Sequence, residues 1–117
     1  MAKFEKFEDI LAWQKSRILV NDIYLALKNC KDFSFRDQIR RATVSIMNNI
    51  AEGFNRKGNK EFVKFLYISK GSCSEVRSML YLCLDLKYID KNNFDAFYNK
   101  SEEISKMLSG LIKSLRV

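Results

Sequence analysis

The chain contains no proline and no histidine, and it has only four glycines among its 117 residues. Proline is the strongest helix breaker, so its absence leaves long helical segments uninterrupted. Few glycines also leave few positions for the tight turns that an all-β protein of this length would need. The missing histidine excludes Ser-His-Asp and Cys-His catalysis and every histidine-ligated metal site. These absences favour an all-α protein built from a few long helices.

Long apolar runs are missing as well. No segment approaches the roughly 20 consecutive apolar residues that are needed to span a bilayer. The N-terminal segment, MAKFEKFEDILAW, carries acidic residues early and has no apolar signal core. We therefore expect a cytoplasmic protein that makes no use of a membrane.

Cysteine is present at only three positions, Cys30, Cys73 and Cys83, which is an odd number without metal-ligand spacing. On one helix, Cys73 and Cys83 would lie about 15 Å apart along the axis. That separation is too large for a disulfide bond. We predict buried free thiols, no bound metal and no cofactor.

Residues that could carry catalysis are also scarce. Glu61 and Glu75 would lie about 21 Å apart along one helix, which is too far for two carboxylates to cooperate within a chain. The segment GFNRKG at 53–58 lacks the Lys-Ser/Thr ending and the preceding strand of a phosphate-binding loop. No cluster of acids suits the metal of a nuclease. We therefore expect no small-molecule substrate and no enzymatic activity, and we predict no catalytic residue.

Helical periodicity runs through almost the whole chain. The composition, 47% hydrophobic and 30% charged, fits one globular domain over residues 1–117. Apolar residues recur at helical spacing over about 9–30, 35–55, 60–86 and 92–115. Ser34 and Asn59 are the predicted N-caps of the second and third helices, Ser34 through the capping-box pattern SFRD. Because the connections are short, we predict an antiparallel up-and-down four-helix bundle.

Several helices carry more apolar surface than one bundle can bury. The second helix has a core stripe that includes Ile39, Ile46 and Ile50, and a further apolar strip on its flank. The fourth helix has one apolar face, which includes Ile104 and Leu108, and the third helix has a wide one. Leftover apolar surface of this kind usually marks a contact with another chain, although snorkelling lysines and loops are an alternative cover. The predicted oligomer interface consists of Leu11, Ile18, Leu25, Val44, Met47, Val63, Tyr67 and Tyr81.

Three segments resemble one known family over nearly the whole chain. They are AWQK at 12–15, QIRRATVSIMNNIAEGFNRKGNKEFVKFLYISKGSCSEV at 38–76 and EEISKMLSGLIKSL at 102–115. The family comprises small bacterial four-helix-bundle proteins first noticed as reading frames in intervening sequences of 23S ribosomal RNA genes. The chain departs from it at Met47, where the family usually has proline, and in the short connection CKDFSF at 30–35.

The resemblance implies a left-handed bundle that assembles as a homopentamer. A distant relative, the accessory variability determinant of diversity-generating retroelements, binds nucleic acid together with a reverse transcriptase. For most members the function is unsettled. The resemblance therefore adds a homo-oligomeric partner and a possible RNA or RNA–protein partner to the expectations for this chain.

Positive charge is concentrated between residues 34 and 60. Six basic residues face two acidic ones there, which gives +4 of the chain's total of +7. The predicted nucleic-acid-binding residues are Arg36, Arg40, Arg41, Arg56, Lys57 and Lys60. Such a patch attracts phosphate without base contacts, and arginine adds bidentate geometry. Most aromatic residues fall on apolar stripes, so no base-stacking platform is expected.

The two adjacent arginines also have a structural interpretation. Arg41 lies four residues after Asp37, which is the spacing of a helical ion pair. Arg40 can pair with Glu61 or Glu75 of another subunit. The sequence therefore leaves two functions open: a non-catalytic oligomeric scaffold that binds RNA, or a protein-interaction oligomer with no nucleic-acid role.

Overall fold

The computed structural model describes residues 4–115, which form four α-helices preceded by a short 3-10 helix at Phe7–Asp9. The helices are α1 (Leu11–Ala26), α2 (Phe33–Phe54), α3 (Gly58–Asp85) and α4 (Lys91–Leu115). Residues 4–115 contain no β-strand, so the predicted all-α fold is confirmed. Within the same residues, no helix combines the length and the apolar character that a membrane crossing requires.

Contacts between α2 and α3 show that these two helices are antiparallel. Phe54 at the end of α2 meets Phe62 near the start of α3, with ring centres 5.9 Å apart. Phe35 at the start of α2 meets Tyr88, just beyond the end of α3, at 5.5 Å. The bundle is 43 Å long, and its two shorter dimensions are 22 and 19 Å.

The chain reverses again between α3 and α4. The Asn59 side chain at the start of α3 donates to the carbonyl oxygen of Leu115 at the end of α4, at 3.2 Å. Near mid-length, the Ser101 hydroxyl donates to the carbonyl oxygen of Cys73, also at 3.2 Å. Because α1 packs against both α2 and α4, the four helices close into a bundle. The handedness of this bundle stays a prediction.

The first helix is shorter than the predicted 9–30 at both ends. Ile10 has an extended backbone, with ψ 118°, and its buried side chain anchors the bend between the 3-10 helix and α1. This bend packs the Phe7 ring against Trp13, with centres 5.2 Å apart. At the other end, the backbone N–H of Cys30 bonds to the carbonyl oxygen of Leu27, which closes a tight turn instead of a further helical turn.

Both predicted N-caps are wrong. Asp32 caps α2, because its carboxylate accepts the backbone N–H of Phe35 at 3.3 Å, and Ser34 lies inside the first turn. Helix α3 begins at Gly58, whose φ of 80° is a left-handed conformation that glycine adopts without strain. Asn59 is already helical, and its side chain bonds to the end of α4 instead of capping α3.

The core takes its apolar side chains from all four helices. On α2 and α4 these are the predicted stripes, and Ile39, Ile46, Ile50, Ile104 and Leu108 are completely buried. Burying a side chain of this size stabilises the fold by roughly 1.5–3 kcal/mol. The connections before and after α3 then only have to keep these apolar stripes facing one another.

On α3 the buried arc is narrower than the apolar face of the sequence. Ile68 and Leu86, which helical spacing places on that face, are 52% and 50% exposed. They flank an arc that includes the fully buried Leu66 and Val76. Apolar surface therefore remains on the outside of α3.

Five hydroxyl side chains are buried within the core: Ser16, Thr43, Ser69, Ser72 and Ser101. A buried hydroxyl is costly unless it forms a hydrogen bond. Ser69 donates to the carbonyl oxygen of Ile46 at 2.7 Å, and Ser101 donates to that of Cys73. These two bonds cross between helices, so they fix the register of α3 against α2 and α4.

Candidate nucleic-acid interface

The six predicted basic residues separate into two groups along α2. Arg36, Arg40 and Arg41 lie in its first half, and Arg56, Lys57 and Lys60 surround the connection to α3. Helical rise places Arg41 and Arg56 about 22 Å apart along the axis. The positive charge that is concentrated between residues 34 and 60 of the sequence therefore lies at two separate sites on the bundle and not in one patch.

Arg40 belongs to the packing between α1 and α2. Its guanidinium lies over the Tyr24 ring, 4.4 Å from the ring centre, and its Nη2 donates to the carbonyl oxygen of Tyr24 at 3.1 Å. Its buried Nε has no hydrogen-bond partner within residues 4–115. Arg40 therefore has a structural contact within one chain, with α1, and its predicted pairing with Glu61 or Glu75 of another subunit stays a prediction.

The spacing predicted an ion pair between Arg41 and Asp37, but the structure does not contain it. The Asp37 carboxylate instead accepts from Arg36 at 3.3 Å, and the Arg36 guanidinium covers the Phe33 ring at 4.8 Å. Arg41 is exposed and forms no ion pair with any described residue. Its charge is therefore available to a partner.

At the far end of α2, part of the predicted positive charge is neutralised. Arg56 pairs with Glu52 at 2.7 Å and lies over the Phe65 ring at 5.0 Å. Lys57 and Lys60 are exposed, and neither forms an ion pair within residues 4–115. The two lysines, and not Arg56, carry the uncompensated charge at this connection.

A third lysine, Lys113, joins them through the topology of the bundle. It is exposed in the last turn of α4, and the bond between Asn59 and the Leu115 carbonyl ties this turn to the start of α3. We name the surface formed by Lys57, Lys60 and Lys113 the lysine end. The lysine end could not be read from any one segment of the sequence. It follows from the antiparallel arrangement of the third and fourth helices, which places the three lysines at one end of the bundle.

A solvent-open groove runs along α2 beside α1. Tyr24 borders it, Arg40 and Arg41 line its first half, and Asn48 and Asn49 line the second. Its volume is about 550 Å³, within the range of sites that bind small ligands. We name it the α2 groove. It brings together an aromatic ring, two arginines and two carboxamides, a combination that sequence periodicity did not identify.

The predicted oligomer interface divides by exposure. Leu11, Ile18, Leu25, Tyr67 and Tyr81 are exposed in the described chain, and Leu25 is the most open of them at 68%. The remaining three, Val44, Met47 and Val63, are half-buried. Val63 packs against the core, and Val44 borders the α2 groove. The exposed members lie on α1 and α3, which makes these two helices the main apolar surfaces.

The thiols occupy the interior, as predicted for Cys73 and Cys83, whereas Cys30 is half-buried. Burial raises the pKa of the Cys73 thiol to about 11. Burial also raises the pKa of Cys83 to about 12, with a smaller contribution from nearby Cys30. Both thiols are therefore protonated and unreactive near neutral pH. Within residues 4–115, no three Cys, Asp or Glu side chains group together as a metal site would require.

Comparisons with known proteins agree on the fold. The family model described as 23S rRNA-intervening sequence protein matches residues 8–110. The chain is also similar to a protein of unknown function from the S23 ribosomal protein family of Bacteroides thetaiotaomicron, whose crystal structure was solved at 1.70 Å resolution. The two share 30% sequence identity and a TM-score of 0.82, over 88% of this chain and 99% of the other. No curated protein matches the chain.

Proposed function

Since the chain belongs to the 23S rRNA-intervening sequence protein family, we propose that it is a non-catalytic, self-associating scaffold that binds RNA at the lysine end. The observation that carries this proposal is the position of Lys57, Lys60 and Lys113 at one end of the bundle, where none of them forms an ion pair with a described residue. The proposed location is the cytoplasm, as the sequence led us to expect.

The lysine end suits phosphate for an electrostatic reason. Exposed ammonium groups displace the counterions of a nucleic-acid backbone, and this release favours binding without contacts to the bases. Arg56 adds less, because Glu52 already neutralises it at 2.7 Å. The proposed contact is therefore to the RNA backbone, and it carries no sequence preference at this surface.

Self-association would multiply this weak contact. Leu11, Ile18 and Leu25 follow one another at seven-residue spacing along α1, and all three are exposed. Tyr67 and Tyr81 extend the exposed apolar surface on α3. Burying such surface against copies of the chain would repeat the lysine end around a symmetry axis, and binding would strengthen through effective concentration. A pentamer is the copy number that the resemblance implies.

A second candidate function is an oligomer that binds only proteins. It is favoured by the internal contacts of Arg36, Arg40 and Arg56, which leave half of the predicted basic residues engaged within the chain. The exposed apolar surface of α1 and α3 would serve this function equally well. Salt dependence separates the two candidates, because only phosphate binding requires counterion release.

The test measures the affinity for a labelled single-stranded RNA at several salt concentrations, with fluorescence anisotropy as the readout. We compare the wild type with the Lys57→Glu/Lys60→Glu variant. The matched control is Lys28→Glu/Lys31→Glu, because these exposed lysines lie at the opposite end and form no ion pair with a described residue. Losing two phosphate contacts per subunit should reduce the slope of log K against log salt by about 1.4 for each subunit that contacts the RNA.

The proposal predicts weak binding by the first variant and nearly unchanged binding by the control. Equal losses in both variants would show attraction to net charge only. Wild-type binding that ignores salt would instead favour the protein-interaction candidate. Self-association is tested separately by native mass spectrometry at micromolar concentration, where a lone 13.8 kDa chain would contradict it.

A further inference from the structure

We propose that the α2 groove binds one nucleotide, with its phosphate on Arg41 and its base stacked on the Arg40 guanidinium, which itself lies over the Tyr24 ring. The lining of the groove offers two features that suit a nucleotide: a cation and a planar platform. The site goes beyond the RNA scaffold proposed above. Arg41 lies about 20 Å along α2 from Phe54, and Lys57 follows beyond that end of the helix, so the groove and the lysine end are separate surfaces.

The charge balance of the groove favours an anion near Arg41. Its two acidic side chains, Asp37 and Glu52, stand near opposite ends of the lining. Each is engaged by an arginine outside the groove, Arg36 at 3.3 Å and Arg56 at 2.7 Å. Arg41 has no such partner within residues 4–115, so its guanidinium is the uncompensated charge of the groove. A guanidinium presents two parallel N–H groups to a phosphate.

Arg40 and Tyr24 form the planar platform. The guanidinium lies 4.4 Å from the Tyr24 ring centre, and its hydrogen bond to the Tyr24 carbonyl at 3.1 Å holds it there. Arg40 Nε remains without an acceptor among the described residues. A flat base stacks on such a surface, and guanidinium groups add a cation–π contribution. The platform exists before a ligand arrives, which lowers the ordering cost of binding.

The second half of the groove lies beyond the reach of a base stacked on Arg40. The Asn49 amide is held by Ser45, to which its Nδ2 donates at 2.8 and 2.9 Å. Asn48 is exposed and makes no side-chain hydrogen bond to a described residue. Helical rise places Asn48 about 12 Å beyond Arg40 along α2, so its carboxamide does not meet that base. Stacking on Arg40 is therefore the reason for preferring a nucleotide over a phosphate alone.

The experiment titrates the full chain with AMP and follows backbone amide resonances by NMR at low ionic strength. Parallel titrations use ribose 5-phosphate, inorganic phosphate and a triadenylate strand. The variants are Arg41→Gln, Asn48→Ala and the matched control Arg17→Gln, which removes an exposed arginine from the outer surface of α1. Circular dichroism establishes that each variant is folded.

The proposal predicts saturable AMP shifts at Tyr24 and Val44 and at least tenfold weaker AMP binding by Arg41→Gln. Binding should be unchanged in Asn48→Ala, which lies beyond the base, and in the Arg17→Gln control. Ribose 5-phosphate and inorganic phosphate should bind at least tenfold more weakly than AMP. Triadenylate binding tighter than AMP would assign the site to a strand, and weaker binding would assign it to a free nucleotide.

Three results would overturn the inference. They are the absence of saturable shifts, wild-type affinity in a folded Arg41→Gln variant, and equal affinities for AMP and inorganic phosphate. Its failure is distinguishable from failure of the scaffold, because RNA retention at the lysine end is measured by a different variant and by its salt dependence. AMP binding without RNA binding would remove only the scaffold function.

Discussion

Replacing Gly53 by alanine tests how closely α2 and α3 approach each other. Gly53 is buried in the last turn of α2, and a Cβ atom added there would lie 2.5 Å from the Cβ of Phe65. It would also lie 3.1 Å from Cδ1 of Phe62. The Cβ of Phe65 is bonded directly to the backbone, so no rotation of its side chain can relieve the clash. Alanine would therefore push the two helices apart.

Two effects of opposite sign set the size of the change. Alanine is favoured over glycine inside a helix by about 1 kcal/mol. Overpacking a core typically costs about 1–3 kcal/mol, and a contact with a backbone-anchored atom belongs at the upper end. We expect Gly53→Ala to lower the free energy of unfolding by about 2 kcal/mol. Gly110→Ala is the matched control, because a Cβ there meets no atom within 4 Å, and it should raise stability by about 0.5–1 kcal/mol.

The assay is urea unfolding followed by far-UV circular dichroism, with all proteins at one concentration because self-association would add to stability. The midpoint should fall for Gly53→Ala and rise for Gly110→Ala, with similar slopes. A Gly53→Ala protein at least as stable as the wild type would refute the close approach of the helices. So would equal losses in both variants, since they would show a general effect of alanine.

Two further predictions follow from side chains whose pKa values are raised. At about pH 8, a thiol reagent should modify Cys30 quickly and Cys73 and Cys83 slowly, because burial raises the pKa of the last two to about 11 and about 12. Mass spectrometry of cleaved peptides measures the three rates, and a single common rate would contradict the prediction. The pKa of Tyr88 is raised from 10.0 to about 12, chiefly because its hydroxyl donates to the Asp32 carboxylate at 2.6 Å. The folded state thus holds this proton more tightly, so the stabilisation is complete below about pH 10 and is lost as the pH rises through about 12. The stability difference between the wild type and Tyr88→Phe, measured by urea unfolding, should shrink across that window, and a constant difference would count against the hydrogen bond.

Much of the fold was predictable because its signals are local. Helical periodicity identified the buried stripes of α2 and α4, which include Ile39 and Ile104. The helix ends were less predictable, since Asp32 and Ser34 are both good capping residues and only the folded chain selects one. The exposure of Ile68 also depends on the angle at which its neighbours meet α3, which no single helix specifies.

The candidate sites were less predictable because they combine distant segments. Arg40 and Tyr24 are separated by 16 positions, and their contact requires α1 to lie against α2. Lys113 lies at the same end of the bundle as Lys57 only because the chain reverses between α3 and α4. The sequence identified the basic residues on α2 and beside its end, and their contact with nucleic acid stays a prediction. It did not show which of them form ion pairs. Asp37 could pair with Arg36 or with Arg41, and in the folded chain it pairs with Arg36.

The hydrogen bonds that buried serines form between helices also oppose the sliding of one helix along another. Sliding α3 by one residue would displace the Ser69 hydroxyl and the Cys73 carbonyl oxygen by about 1.5 Å along the axis. The buried Ser69 and Ser101 donors would then lose their acceptors. The bundle is 43 Å long, and partners bound at its two ends would be held apart by about that length.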